Sequence, residues 1–85
     1  MSARDALLGV AAARLLTADT AEDGLAALAA ATGISPEKLR VGVAEALAAG
    51  LIRDPVRLEA GALHCRWALE LTPAGRAAAR RLTGD

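Results

Sequence analysis

The chain has 85 residues, enough for one hydrophobic core and too few for two domains, so residues 1–85 are expected to form a single domain. Hydrophobic residues make up 54% of it but Trp67 is the only aromatic, so the apolar content is mostly alanine and leucine and a thin core is expected. Zero formal net charge excludes a uniformly basic nucleic-acid binder, and a single cysteine (Cys65) and a single histidine (His64) exclude an internal disulfide and a structural metal set.

The charge is unevenly distributed. Residues 1–37 carry Arg4 and Arg14 against Asp5, Asp19, Glu22, Asp23 and Glu37, while Lys38, Arg40, Arg53, Arg57, Arg66, Arg76, Arg80 and Arg81 outnumber the carboxylates after them. The second half is the one suited to face phosphates. Neither a signal peptide nor a membrane span is indicated, because charged residues interrupt every apolar run, and a reducing cytoplasm is the expected compartment. The absence of Asn, Gln, Phe and Tyr beside abundant Ala, Gly and Arg fits a high-GC bacterial genome.

In chain order, Ser2 with Asp5 reads as the capped start of a first helix running to about Leu16, with Leu8, Ala12 and Leu15 on one face. Thr20 with Asp23 starts a second, whose apolar face is Leu25, Leu28 and Ala29 and which ends at Thr32-Gly33. Ser35-Pro36 is an N-cap followed by proline in the first turn; the third helix it opens has Leu39, Val43, Ala46 and Leu47 as its core positions and stops at Gly50. Gly42 inside it suggests a close backbone approach.

After Ile52 the period changes to two. Val56, Leu58 and Ala60, then Cys65, Trp67, Leu69 and Leu71, alternate with polar or small residues, which predicts two strands. A Gly61-Ala62 type II′ turn would pair Ala60 with Leu63, Leu58 with Cys65 and Val56 with Trp67, and would set Arg57 opposite Arg66. Trp67 is expected to anchor the core. Neighbours in a strand point to opposite faces, so His64 and Cys65 are not expected to form a metal or nucleophile pair. Thr72-Pro73 opens a last helix with a narrow stripe of Ala74, Ala78 and Leu82 and a solvated basic face of Arg76, Arg80 and Arg81.

Two helices joined by a short turn and followed by a hairpin resemble the winged helix-turn-helix family of bacterial regulators, of the MarR-like or PadR-like kind. The resemblance runs from about residue 22 to the end. It is carried by Leu28-Ala-Ala-Ala-Thr-Gly-Ile-Ser-Pro36 through Leu39, Val43 and Leu47 to Gly50-Leu51-Ile52, and by Leu71-Thr72-Pro73-Ala74-Gly75-Arg76. It implies a mostly helical α+β fold of three helices, a two-stranded wing and a C-terminal helix. It also implies a DNA-binding transcriptional regulator that uses the helix at 36–49 and the wing at 54–71. The nucleic-acid-binding residues would then be Ser35, Lys38, Arg40 and Val41 on the helix and Arg57 and Arg66 in the wing, with double-stranded DNA as partner.

On a helical wheel the face opposite Leu39, Val43 and Leu47 is made of Glu37, Lys38, Val41, Glu45 and Ala48, with Arg40 and Ala44 at its shoulder. Glu37 and Glu45 would meet a polyanion, so the alternative is a winged-helix protein-interaction or dimerisation module without DNA binding. A thin core also favours pairing, so a homodimer through the first and last helices, or a protein partner, is expected. Arg57 and Arg66 directly opposite each other call for an anion between them, either a phosphate or the diagonal Glu59. The carboxylates Asp19, Glu22 and Asp23 are read as helix-start charges; no catalytic residues, cofactor or metal are expected, and the chain is not read as an enzyme.

Overall fold

Ser2, Thr20 and Ser35 each place a side-chain oxygen where the backbone N–H three residues on donates to it, at 3.1, 3.1 and 3.4 Å, and a helix begins after each. A fourth start is built the same way: the Gly75 N–H donates to Thr72 Oγ1 at 3.1 Å, with Pro73 in the first turn where no N–H is needed. The computed structural model describes residues 2–58 and 65–83, and of Arg57, Leu58, Cys65, Arg66 and Thr83 the backbone alone. Its elements are α1 (Ala3–Ala13), β1 (Leu16–Ala18), α2 (Ala21–Thr32), α3 (Pro36–Ala48), β2 (Val56–Leu58), β3 (Cys65–Leu69) and α4 (Pro73–Thr83). These residues make a small α+β domain, mostly helical. No helix among them is long and apolar enough to cross a membrane.

The first helix is shorter than its pattern suggests. Arg14 adopts an extended conformation as C-cap, and Leu16–Ala18, expected to be the end of the helix or the loop after it, is a strand instead. It pairs antiparallel with β3, Leu16 with Leu69, Thr17 with Ala68 and Ala18 with Trp67. The hairpin is therefore part of a three-stranded sheet in the order β1-β3-β2. Leu16 gains burial against the core from this pairing, which outweighs the helix propensity of its neighbours.

The β2–β3 register is the expected one: Val56 opposes Trp67, Arg57 opposes Arg66 and Leu58 opposes Cys65. The Gly61-Ala62 turn, the Ala60–Leu63 pair, Glu59 and His64 lie outside the described residues. β2 enters through an Asp54-Pro55 turn in which the Val56 N–H donates to Asp54 Oδ1 at 3.0 Å and the Ala68 N–H to Pro55 O at 2.8 Å.

Leu7, Leu8, Leu28, Leu39, Ile52 and Leu69 are the fully buried large side chains, and Trp67, 4% exposed, joins them as the expected anchor. Trp67 sits against Gly24 of α2, where a Cβ would overlap its six-membered ring. Four expected core positions before α4 are not in the core. Leu15 lies beyond the end of α1 and is 60% exposed, and Ala12 is exposed with it. Leu47, in the last turn of α3, is exposed because Ala46 and Leu39 already fill that helix's contact. Val56 is 53% exposed: α2 packs on β1 and β3, and Val56 on the edge strand β2 stays open to solvent. On α4 the stripe is rotated, with Gly75 and Ala79 buried and Ala78 half-buried, while Ala74 and Leu82 are exposed.

The two stretches that carried the resemblance meet each other. Gly50 takes the left-handed conformation after α3. Thr72 then donates twice, its N–H to Leu51 O at 3.0 Å and its hydroxyl to Gly50 O at 2.6 Å. Ile52 bridges Leu71, and the Arg53 N–H donates to Glu70 O at 3.0 Å. The end of α3 is thereby stitched to the start of α4.

Candidate nucleic-acid interface

α3 is held from two sides. Ser35 caps it, with the Leu39 N–H closing the first turn on Ser35 O at 3.0 Å, and Gly33 in the left-handed region (φ 73°) ends α2 two residues earlier, its N–H donating to Ala29 O. Thr32 fixes the turn between the helices: its hydroxyl donates to Leu28 O at 2.7 Å and accepts from the Ile34 N–H at 3.2 Å. At mid-helix Gly42 is buried against α1, where a Cβ would stand 2.9 Å from the Arg4 nitrogen and 3.0 Å from the Ala3 carbonyl carbon. The close approach suggested by that glycine is thus to the start of α1.

With Leu39, Gly42 and Ala46 facing inward, the outer face of the 13-residue helix is fixed. Ser35, Glu37, Lys38, Arg40, Val41, Ala44, Glu45 and Ala48 are all exposed, Val41 by 58%. Lys38 and Arg40, two residues and about 200° apart, flank that face rather than sharing one line. Two carboxylates, Glu37 and Glu45, share it with them.

Lys38, Val41 and Glu45 also border a groove of about 300 Å³ whose other wall is Ser2, Ala3 and Arg4 of the α1 start. Arg4 was not among the residues expected here. Its Nε is buried without a hydrogen-bond acceptor and stands 3.7 Å from Asp5 Oδ1, an ion pair too long to be a hydrogen bond. No spacing rule within one helix reveals it, because Arg4 reaches the site from a different element through the Gly42 contact. Arg57 and Arg66 are brought opposite one another in the ladder, and their side chains lie outside the described residues.

Among the described residues no three His, Cys, Asp or Glu are grouped to hold a metal ion. The described outer face of α3 carries exposed cations, carboxylates and apolar side chains on one helix. Set against protein-family profiles, curated proteins and solved structures, the chain matches none of them.

Proposed function

We propose that the chain is a winged helix-turn-helix domain that binds double-stranded DNA as part of a bacterial transcriptional regulator, with α3 entering the major groove and the β2–β3 hairpin as the wing. The observation that carries this reading is the outward face of α3, a capped helix about 20 Å long, which among the described residues leaves Lys38, Arg40, Val41 and Ala44 exposed. The order of elements, with α2 and α3 joined by a short turn and two strands following, supports it. In this reading Lys38 and Arg40 reach phosphate or guanine, Val41 and Ala44 meet thymine methyls, Ser35 lies at the helix N-terminus beside a phosphate, and Arg57 and Arg66 hold the backbone at the wing. Arg4 adds a further cation on the groove that Lys38 borders.

The test is fluorescence anisotropy of the purified chain with a random-sequence duplex over a range of salt concentrations. Affinity is expected to fall steeply with salt, and the Arg57→Ala/Arg66→Ala variant is expected to lower the log–log slope by about 2, close to 0.9 per lost phosphate contact. No detectable binding at low salt refutes the reading.

A second reading, a protein-interaction module without DNA binding, is favoured by the exposure of Val41 and by Glu37 and Glu45 on the same face, which oppose a polyanion. There Val41→Glu removes binding to a partner or self-association while circular dichroism stays that of the parent. A Val41→Glu variant that still associates removes that reading.

A further inference from the structure

A second concavity lies away from α3. About 440 Å³ in volume, it runs between the C-terminal half of α1 and α4, with Ala11, Ala12, Leu69, Leu71 and Ala79 as an apolar floor. Arg14, Arg76 and Arg80 stand around it with one carboxylate, Glu70, which is already engaged by Arg53 Nε at 3.3 Å. Among the described residues Arg14 and Arg76 have no carboxylate within ion-pairing distance. At the rim stands Leu15, the most exposed large apolar side chain described.

We propose that this groove is the docking site for an acidic amphipathic segment of a partner protein, whose apolar residues seat between Leu15 and Ala79 and whose carboxylates face Arg14 and Arg76. Three alternatives fit less well. Ala12, Arg14, Leu15, Arg76 and Arg80 are exposed, so a small molecule lying there stays largely in water, whereas ligand clefts bury about 70–90% of their occupants. A second copy paired by a two-fold axis brings the same patch against itself and sets these arginines against their own counterparts. A DNA flank satisfies the arginines and leaves Leu15 without a partner. A polypeptide segment with leucines on one face and glutamates beside them answers both the charge and the apolar floor, in the helix-in-groove manner. Successive residues of α1 rise 1.5 Å each, so the groove, which starts at Ala11, lies about 12 Å from the Ala3 contact with α3. The two surfaces are separate, and this proposal does not rest on DNA binding.

The probe is a fluorescein-labelled peptide of about 15 residues, four helical turns, with Leu at positions i, i+3, i+4 and i+7 and Glu between them. Its controls are a peptide of the same composition with the leucines dispersed and one with Lys for Glu. The parent chain is expected to bind the first peptide more tightly than either control. Binding should weaken about tenfold or more in Arg14→Glu/Arg76→Glu and in Leu15→Asp, all exposed positions whose variants keep the parent's circular dichroism. Amide signals of residues 11–15 and 74–80 should shift on titration. The proposal is overturned by equal binding of the dispersed-leucine control, by binding that survives both variants, or by shifts confined to α3. It is also overturned if sedimentation shows self-association that Leu15→Asp abolishes, which assigns the groove to a second copy, or if the charge reversals weaken duplex DNA binding and leave the peptide untouched.

Discussion

Replacing Gly75 by alanine tests how α4 is attached. A Cβ at Gly75 would overlap the Leu51 carbonyl oxygen and stand 3.2 Å from Leu71 Cδ2. The obstacle is backbone, and it is not free to yield: the Leu51 carbonyl accepts the Thr72 N–H at 3.0 Å, and the Leu51 N–H donates to Ala46 O at 2.9 Å. The start of α4 therefore has to back away, which costs about 1–3 kcal/mol of packing strain. The same movement stretches the Thr72 bonds to Leu51 O and Gly50 O, each contributing about 1 kcal/mol net. Alanine returns about 1 kcal/mol of helix propensity. The balance is a loss of about 2–4 kcal/mol, a large part of the roughly 4–13 kcal/mol that holds a domain of this size together.

Gly9→Ala is the internal control. Nothing stands within 4 Å of a Cβ there, so the same chemical change in α1 is expected to stabilise by about 0.5–1 kcal/mol. Urea denaturation followed by the fluorescence of Trp67, the sole tryptophan, reads both. With a slope of about 1 kcal/mol per molar for a small domain, Gly75→Ala should lower the midpoint by about 2–4 M and Gly9→Ala should raise it. A Gly75→Ala midpoint at or above the parent's refutes the seam between Leu51 and α4.

Substitutions at three further positions probe the same framework. Thr72→Val removes the oxygen that caps α4 and bonds Gly50, and should cost about 1–2 kcal/mol in the same urea assay, while Thr72→Ser retains most of the stability. Gly24→Ala forces the buried Trp67 ring to move, so a changed Trp67 emission maximum is expected together with a net loss of about 1–2 kcal/mol despite the better helix former. Val56→Thr, at an uncovered position of the edge strand, should stay within about 0.5 kcal/mol of the parent; a loss of several kcal/mol would place Val56 in the core after all.

These sites also mark what could be read from the residues alone. The helix starts were legible because Ser2, Thr20, Ser35 and Thr72 each cap within three residues, and the β2–β3 register because the expected Gly61-Ala62 turn together with alternation on both strands predicts Val56 opposite Trp67. β1 was not: three residues are too few to establish a period, Leu15 and Leu16 both suit a helix, and the partner strand lies some fifty residues further on. Alternation told which face Val56 shares with Trp67 but not that no helix covers it. The outer face of α3 was read as opposite Leu39, Val43 and Leu47, of which Leu39 is buried, Val43 half-buried and Leu47 exposed, whereas Arg4, from another helix, was not read at all.

The phase of α4 shows the deeper cause. The arginines mark the solvated side of α4, but with alanine at 74, 77, 78 and 79 apolar size does not fix which of them is buried. What sets the rotation is Gly75 against Leu51, a contact of backbones. The same holds at Gly42 against the start of α1, and at Gly24 the close contact is with the Trp67 ring. Alanine-rich helices bury enough apolar area only by approaching closely, and they do so where a side chain is missing altogether. Position in this fold is therefore specified largely by absent atoms, which hydrophobic periodicity does not count. The consequence is measurable: alanine should be tolerated at the open Gly9 and rejected at Gly24, Gly42 and Gly75, and Gly42→Ala should in addition shift α3 against Arg4 and alter the surface proposed to meet DNA.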